Sequence, residues 1–220
     1  MTNTLHIQIG VQEIQTLKAT GAQMCFARLV NGAYSVVWQA SGNFLESNEF
    51  SWTEDFALFG TNAFVPGTTV QITTNVVNIN SGQEAALSPN GFLGSPTTGL
   101  AGAITLVNQS GPIHPGLNGS ASFNGDQTFS PMFVAASAVG QGPTQIMPEG
   151  TIAIWFEPNV ASGTMIAQHP QNAFTANLIA ATNGVACLYQ NGRWLHQHRS
   201  GNDAAAKTAP QPQHHQRGRH

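Results

Sequence analysis

Read from its N-terminus, the chain alternates. Leu5, Ile7, Ile9 and Val11 are apolar, and His6, Gln8, Gly10 and Gln12 between them are not. A period of two marks a strand with one buried face. The same alternation returns at Met24–Leu29 and at Tyr34–Trp38, on either side of Asn31-Gly32. Asn-Gly is the strongest short hairpin signal, because both residues accept the positive φ of a type I′ turn. Six such pairs occur, at Asn31, Asn90, Asn118, Asn124, Asn183 and Asn191.

Further strands are expected over Thr68–Ile79, Leu100–Val107, Met132–Ala136, Thr151–Glu157, Thr164–Gln168, Gly184–Gln190 and Arg193–His196. These stretches are rich in β-branched or aromatic residues, and clusters such as Ser88-Pro89-Asn90-Gly91 separate them. Helical pattern is scarce. Glu13–Ala19 suits a short helix that Gly21 stops, and Gln171–Ala181 reads better as a strand. Roughly ten or more short strands with frequent turns predict an all-β fold, an antiparallel β-sandwich. Cys25 and Trp38 stand at the spacing of half an immunoglobulin core, but Cys187 lies too far downstream to complete it. The strand order therefore stays open.

Residues 1–197 are expected to form a single sandwich domain. Residues 198–220 are polar, Pro-containing and almost without large apolar side chains, which predicts a disordered, His-rich tail.

Charge changes the picture most. Asp, Glu, Lys and Arg make up 8% of the 220 residues, against about 25% in an average soluble domain. Ser, Thr, Asn and Gln take their place. Up to Leu195, nine acidic residues face only Lys18, Arg28 and Arg193. From His196 onward, Arg199, Lys207, Arg217 and Arg219 face only Asp203. An acidic body with few cations argues against nucleic acid as a partner. A charge-poor surface repels its copies weakly and so tolerates association.

No run of apolar residues is long enough to cross a membrane as a helix. The N-terminus lacks the basic and apolar regions of a signal peptide. The expected location is cytoplasmic, or outside the cell by release without a conventional signal peptide.

Candidate chemistry is sparse. No nucleophile elbow and no phosphate-binding loop is present. Cys25 and Cys187 sit in apolar runs, as buried thiols do. His196, His198, His214, His215 and His220 are too loosely placed for a metal centre, so no metal or cofactor is expected. Glu46, Glu49, Glu54 and Asp55 read as a solvated face rather than a hydrolase pair. Aromatics gather between Phe44 and Phe64, where Trp52 and Phe56 are candidate contact residues with a core role as the plainer alternative. Asn191, Arg193 and Trp194, on a predicted hairpin tip, have the composition of an interface. The leading expectation is a non-enzymatic protein whose partner is itself, in a homo-oligomer. The second is a lectin- or cytolysin-like binder of glycans or lipid head groups, and the third is a hydrolase without a recognisable motif.

Overall fold

The computed structural model describes residues 2–177 and 185–197. In chain order its elements are β1 (Asn3–Ile9), α1 (Val11–Ala19), β2 (Ala22–Val30), β3 (Gln39–Ser41), β4 (Ser47–Thr61), β5 (Val77–Ile79), β6 (Gln83–Leu87) and β7 (Thr97–Thr98). Then follow β8 (Ile104–Asn108), β9 (His114–Phe123), β10 (Asp126–Val134), β11 (Gly142–Ile146), β12 (Pro148–Pro158), β13 (Phe174–Asn177), β14 (Val185–Gln190) and β15 (Arg193–Gln197). The fold is all-β and sandwich-like. One sheet runs β10-β9-β4-β1-β14-β15, with β5 beside β4, and a second runs β13-β12-β2-β3. A small third sheet, β11-β8-β6-β7, is built mostly from the long excursion between β4 and β9.

Two pairings depart from the antiparallel expectation. β1 runs parallel to β14, and β6 runs parallel to β8. Parallel neighbours need a crossover, so strands distant in sequence come together and local alternation gives no sign of it.

The two large sheets meet through aromatic rings. Phe26 of β2 stacks on Phe50 of β4, with centroids 4.0 Å apart, and Phe123 of β9 tilts against it. Trp38 lies edge-on to Phe50 and Trp52. Each such ring taken out of water is worth about 1.5–3 kcal/mol. The indole of Trp38 is fully buried, and its Nε1–H donates to the Gly119 carbonyl at 3.2 Å.

That contact explains why Asn118-Gly119 is not the turn its sequence predicts. Both residues lie inside β9. A Cβ at Gly119 would fall 2.5 Å from Met132 Sδ and 3.0 Å from the Trp38 ring. Glycine is there for close approach, not for positive φ. Asn31-Gly32, Asn124-Gly125 and Asn191-Gly192 do turn the chain, with φ between 50° and 91°. Asn183-Gly184 lies outside the described residues, as does the predicted tail.

Other boundaries shift for local reasons. Most of Thr68–Ile79 is irregular, because the Thr73 and Thr74 amides bond to the Gly60 carbonyl and Thr74 Oγ1 takes the Gly60 amide. Only Val77–Ile79 pairs, with β4. β8 starts at Ile104 because Gly102 turns with φ +82°. The helix forms from Val11 to Ala19 and packs only Ile14 and Leu17 against the core. Thr164–Gln168 makes isolated bridges in place of a strand.

Those bridges build a second, smaller core. Cys25, Ala27, Ala153 and Trp155 lie on the outer face of β2 and β12, and the segment 159–173 folds back over them with Val160, Ile166 and Ala173. Both faces of these strands are therefore covered, and their apolar runs are nearly continuous.

Among the described residues one charged side chain enters the main core. Arg28 has a side chain only 1% exposed. Its Nη2 donates to both oxygens of Glu54, at 2.9 and 2.8 Å, and its Nε donates to the Glu149 carbonyl at 2.7 Å. Trp52 and Phe56 place their rings 5.8 and 5.4 Å from the guanidinium carbon. Both strands that supply partners bulge here. β4 loses register with β9 between Trp52 and Phe56, and β12 loses register with β2 between Pro148 and Ile152. Burial lowers the proton affinity of the guanidinium, and the Glu54 charge opposes that shift.

Removing Glu54 strands the cation in the core. Glu54→Ala should cost about 2–3 kcal/mol in urea unfolding, less than for a fully buried pair because Glu54 is half in water. Arg28→Met, which leaves Glu54 free to be solvated, should cost less than Glu54→Ala. Adding Arg28→Met to Glu54→Ala should recover part of the loss.

Candidate functional site

The residues singled out in the sequence separate into two groups. Trp52 and Phe56 are 2% and 4% exposed and pack around Arg28. As surface contacts they are corrected: both rings are buried and close around the Arg28 guanidinium, so they serve the core. Asn191 occupies the β14–β15 turn with φ +52°, and Arg193 beside it is exposed. Trp194 is half-buried, stacked on Phe156 at 5.5 Å with 2° between ring planes, and edge-on to Tyr189.

The hairpin lies on the open side of the sandwich. On the opposite side the sheets are stitched: Ser130 Oγ donates to the Trp38 carbonyl, and the Val134 amide donates to Ser35 Oγ. On the open side β13 and β15 meet through rings, Phe174 against Trp194 and His196, with no ladder between these two strands. Among the described residues no strand lies beyond β15.

A second feature was not visible in the sequence. A cleft of about 730 Å³ opens between the Pro66–Thr69 loop, the end of β12 and the segment that folds back over it. Its two walls are tied together: the Gly67 amide donates to the Met165 carbonyl at 2.8 Å, and the Met165 amide donates to Thr68 at 2.9 Å. Trp155 lines it and is nine-tenths buried, and its Nε1–H donates to Glu157 Oε2 at 2.7 Å. The two residues share a strand face, being two apart. His169 also lines the cleft, with Nδ1 2.9 Å from the Pro170 carbonyl and its ring edge-on to Tyr34. The only sequence signal was the i, i+2 spacing of Trp155 and Glu157. The other wall comes from residues about ninety positions earlier, which no local pattern connects to them.

The acidic set is divided among separate tasks. Glu49 approaches His6 at 3.8 Å, Glu54 holds Arg28, and Asp55 accepts from the Thr53 hydroxyl. Among the described residues no three His, Cys, Asp or Glu side chains form a group able to hold a metal ion. No described helix is long and apolar enough to cross a membrane.

No protein-family model matches the chain, and neither does any curated protein or solved structure with which it was compared. The site must therefore be read from its own chemistry.

The thiols are free and buried. Burial pushes Cys25 up to about 12, helped by the nearby Glu157 charge, and burial alone pushes Cys187 to about 12, both from an ordinary 9.0. Neither is a nucleophile at neutral pH. Each keeps its proton in the fold and releases it near pH 9 once unfolded. Their contribution to stability is thus complete below pH 9 and lost as pH rises towards 12. Native protein at pH 8 should leave both thiols unlabelled by a disulfide reagent, with both reacting in denaturant. Thermal unfolding should weaken above pH 9, and less steeply in Cys187→Ala.

Proposed function

We propose that this protein is non-enzymatic and works by associating with copies of itself through β15. The observation that carries the reading is the state of the sheet edges. Natural edges are blunted by proline, bulges, short length or lysine. β10 carries Pro131, a bulge beside it and side-chain bonds to the other sheet. β7 is two residues long, and β11 carries Pro143. β15, Arg-Trp-Leu-His-Gln, has none of these devices between Trp194 and Gln197.

Its register makes the edge self-complementary. Gln190 and Arg193 close the two-residue turn, so they form a hydrogen-bonded pair, as do Leu188 and Leu195 two steps on. The backbone groups of Trp194 and His196 then face away from β14. A second copy laid antiparallel about Leu195 sets Trp194 opposite His196 in both directions, each pair exchanging N–H···O bonds. Leu195, 47% exposed, meets its own copy at the two-fold axis. The charge-poor surface opposes this contact little.

Light scattering on size-exclusion fractions tests the reading with the full chain. The wild type should be dimeric or larger. His196→Pro removes an outward amide without touching the bonds to β14 and should yield monomer with an unchanged far-ultraviolet spectrum. His196→Ala, which loses only the ring, should still associate. A wild-type monomer at millimolar concentration, or His196→Pro that still assembles, rules the reading out.

A further inference from the structure

We infer that the cleft beside Trp155 binds a neutral, hydroxyl-rich small molecule, a mono- or disaccharide in chemical class. This site is separate from the β15 edge, and its case does not depend on self-association.

The first argument is size and rigidity. A volume of about 730 Å³ lies within the range of about 300–1,000 Å³ that ligand pockets occupy. Its walls are fixed before any ligand arrives. Trp155 is set in the second core against Cys25 and Ala153, and the Pro66–Thr69 loop is hydrogen-bonded to the facing segment.

The second argument is the inventory of polar groups. Glu157 is exposed, and the Trp155 indole occupies one of its oxygens and fixes its direction. The other oxygen remains an acceptor. His169 is held at Nδ1 by the Pro170 carbonyl, and its Nε2 is a second polar atom for a ligand. Asn159, Gln168 and Gln171 add amides that both donate and accept. Hydroxyl groups, which also donate and accept, match this set.

The third argument is charge. Among the described residues no Lys or Arg lines the cleft, and Glu157 is the one acidic residue that does. A phosphate or carboxylate ligand would meet repulsion with no cation to offset it. A polyamine would find a single carboxylate. Apolar groups from Val160 and Ile166 complete the lining and suit the C–H faces of a sugar ring.

Titration of the full-length wild type tests this by tryptophan fluorescence and by amide chemical shifts. The probes are the methyl glycosides of glucose, galactose, mannose and N-acetylglucosamine and their common disaccharides, with spermine and inorganic phosphate as charged comparators. At least one sugar should give saturable binding at millimolar concentration, with shifts at Glu157 and Gln168. Glu157→Gln and Gln168→Ala should each weaken it about tenfold, a loss of one well-formed polar contact. Both side chains are exposed, so thermal unfolding should be unchanged and a folding defect would be recognised. No saturable sugar binding, binding indifferent to both substitutions, or binding of spermine or phosphate alone each overturns the assignment.

Discussion

The ion pair of Arg28 with Glu54 organises the main core. A guanidinium between two sheets of aromatic rings is costly unless its donors are met. Here two strands break their ladders to meet those of Nη2 and Nε, while Nη1 has no hydrogen-bond partner among the described residues. The bulge in β4 turns Glu54 towards the cation, and the irregularity in β12 presents the Glu149 carbonyl. The consequences extend along β4. Before the bulge it pairs with β1, and after it with β5, while β9 accompanies both halves. One buried charge thus marks where a long strand passes from the main sandwich to the region that carries the third sheet. The Glu149 side chain contributes separately, since its carboxylate accepts from the Gly32 amide and ties the first hairpin turn to β12.

What the sequence revealed follows from the range of the interactions involved. Alternation and type I′ turns are local, so β1, β2, the turn at Asn124-Gly125 and the β14–β15 hairpin could be read from their own residues. Asn118-Gly119 shows the limit of that method. The pair has the chemistry of a turn, but the ring of Trp38, eighty residues away, requires a bare backbone and holds it in a strand. Thr68–Ile79 shows the same limit from the other side. Its strand-like composition is overridden by threonines that bond to Gly60. The Trp194 ring, expected on an interface-like hairpin tip, stacks on Phe156 at the rim of the core. The cleft could not be read at all, because its walls meet only when the chain folds back over β12.

The two proposed surfaces meet at one residue of β12. Phe156 lies between Trp155 and Glu157 of the cleft and stacks on Trp194 at the base of the β14–β15 hairpin. Its ring sits among Phe44, Tyr189 and Trp194, on the strand face opposite the one that Trp155 and Glu157 present to the cleft. Protein interiors are close-packed, so the two surfaces are neighbours in a mechanical sense as well as in space.

The parallel pairing of β1 with β14 has a temporal consequence. Leu5 to Ile9 lie beside Val185 to Tyr189, so β1 is synthesised long before one of its two neighbours. β1 can pair with β4 early, but its other side stays open until β14 has been made. Contacts of such sequence separation make for slow folding. During that interval the nascent protein carries an unfilled slot at the middle of its seven-stranded sheet, which β14 later fills in parallel register.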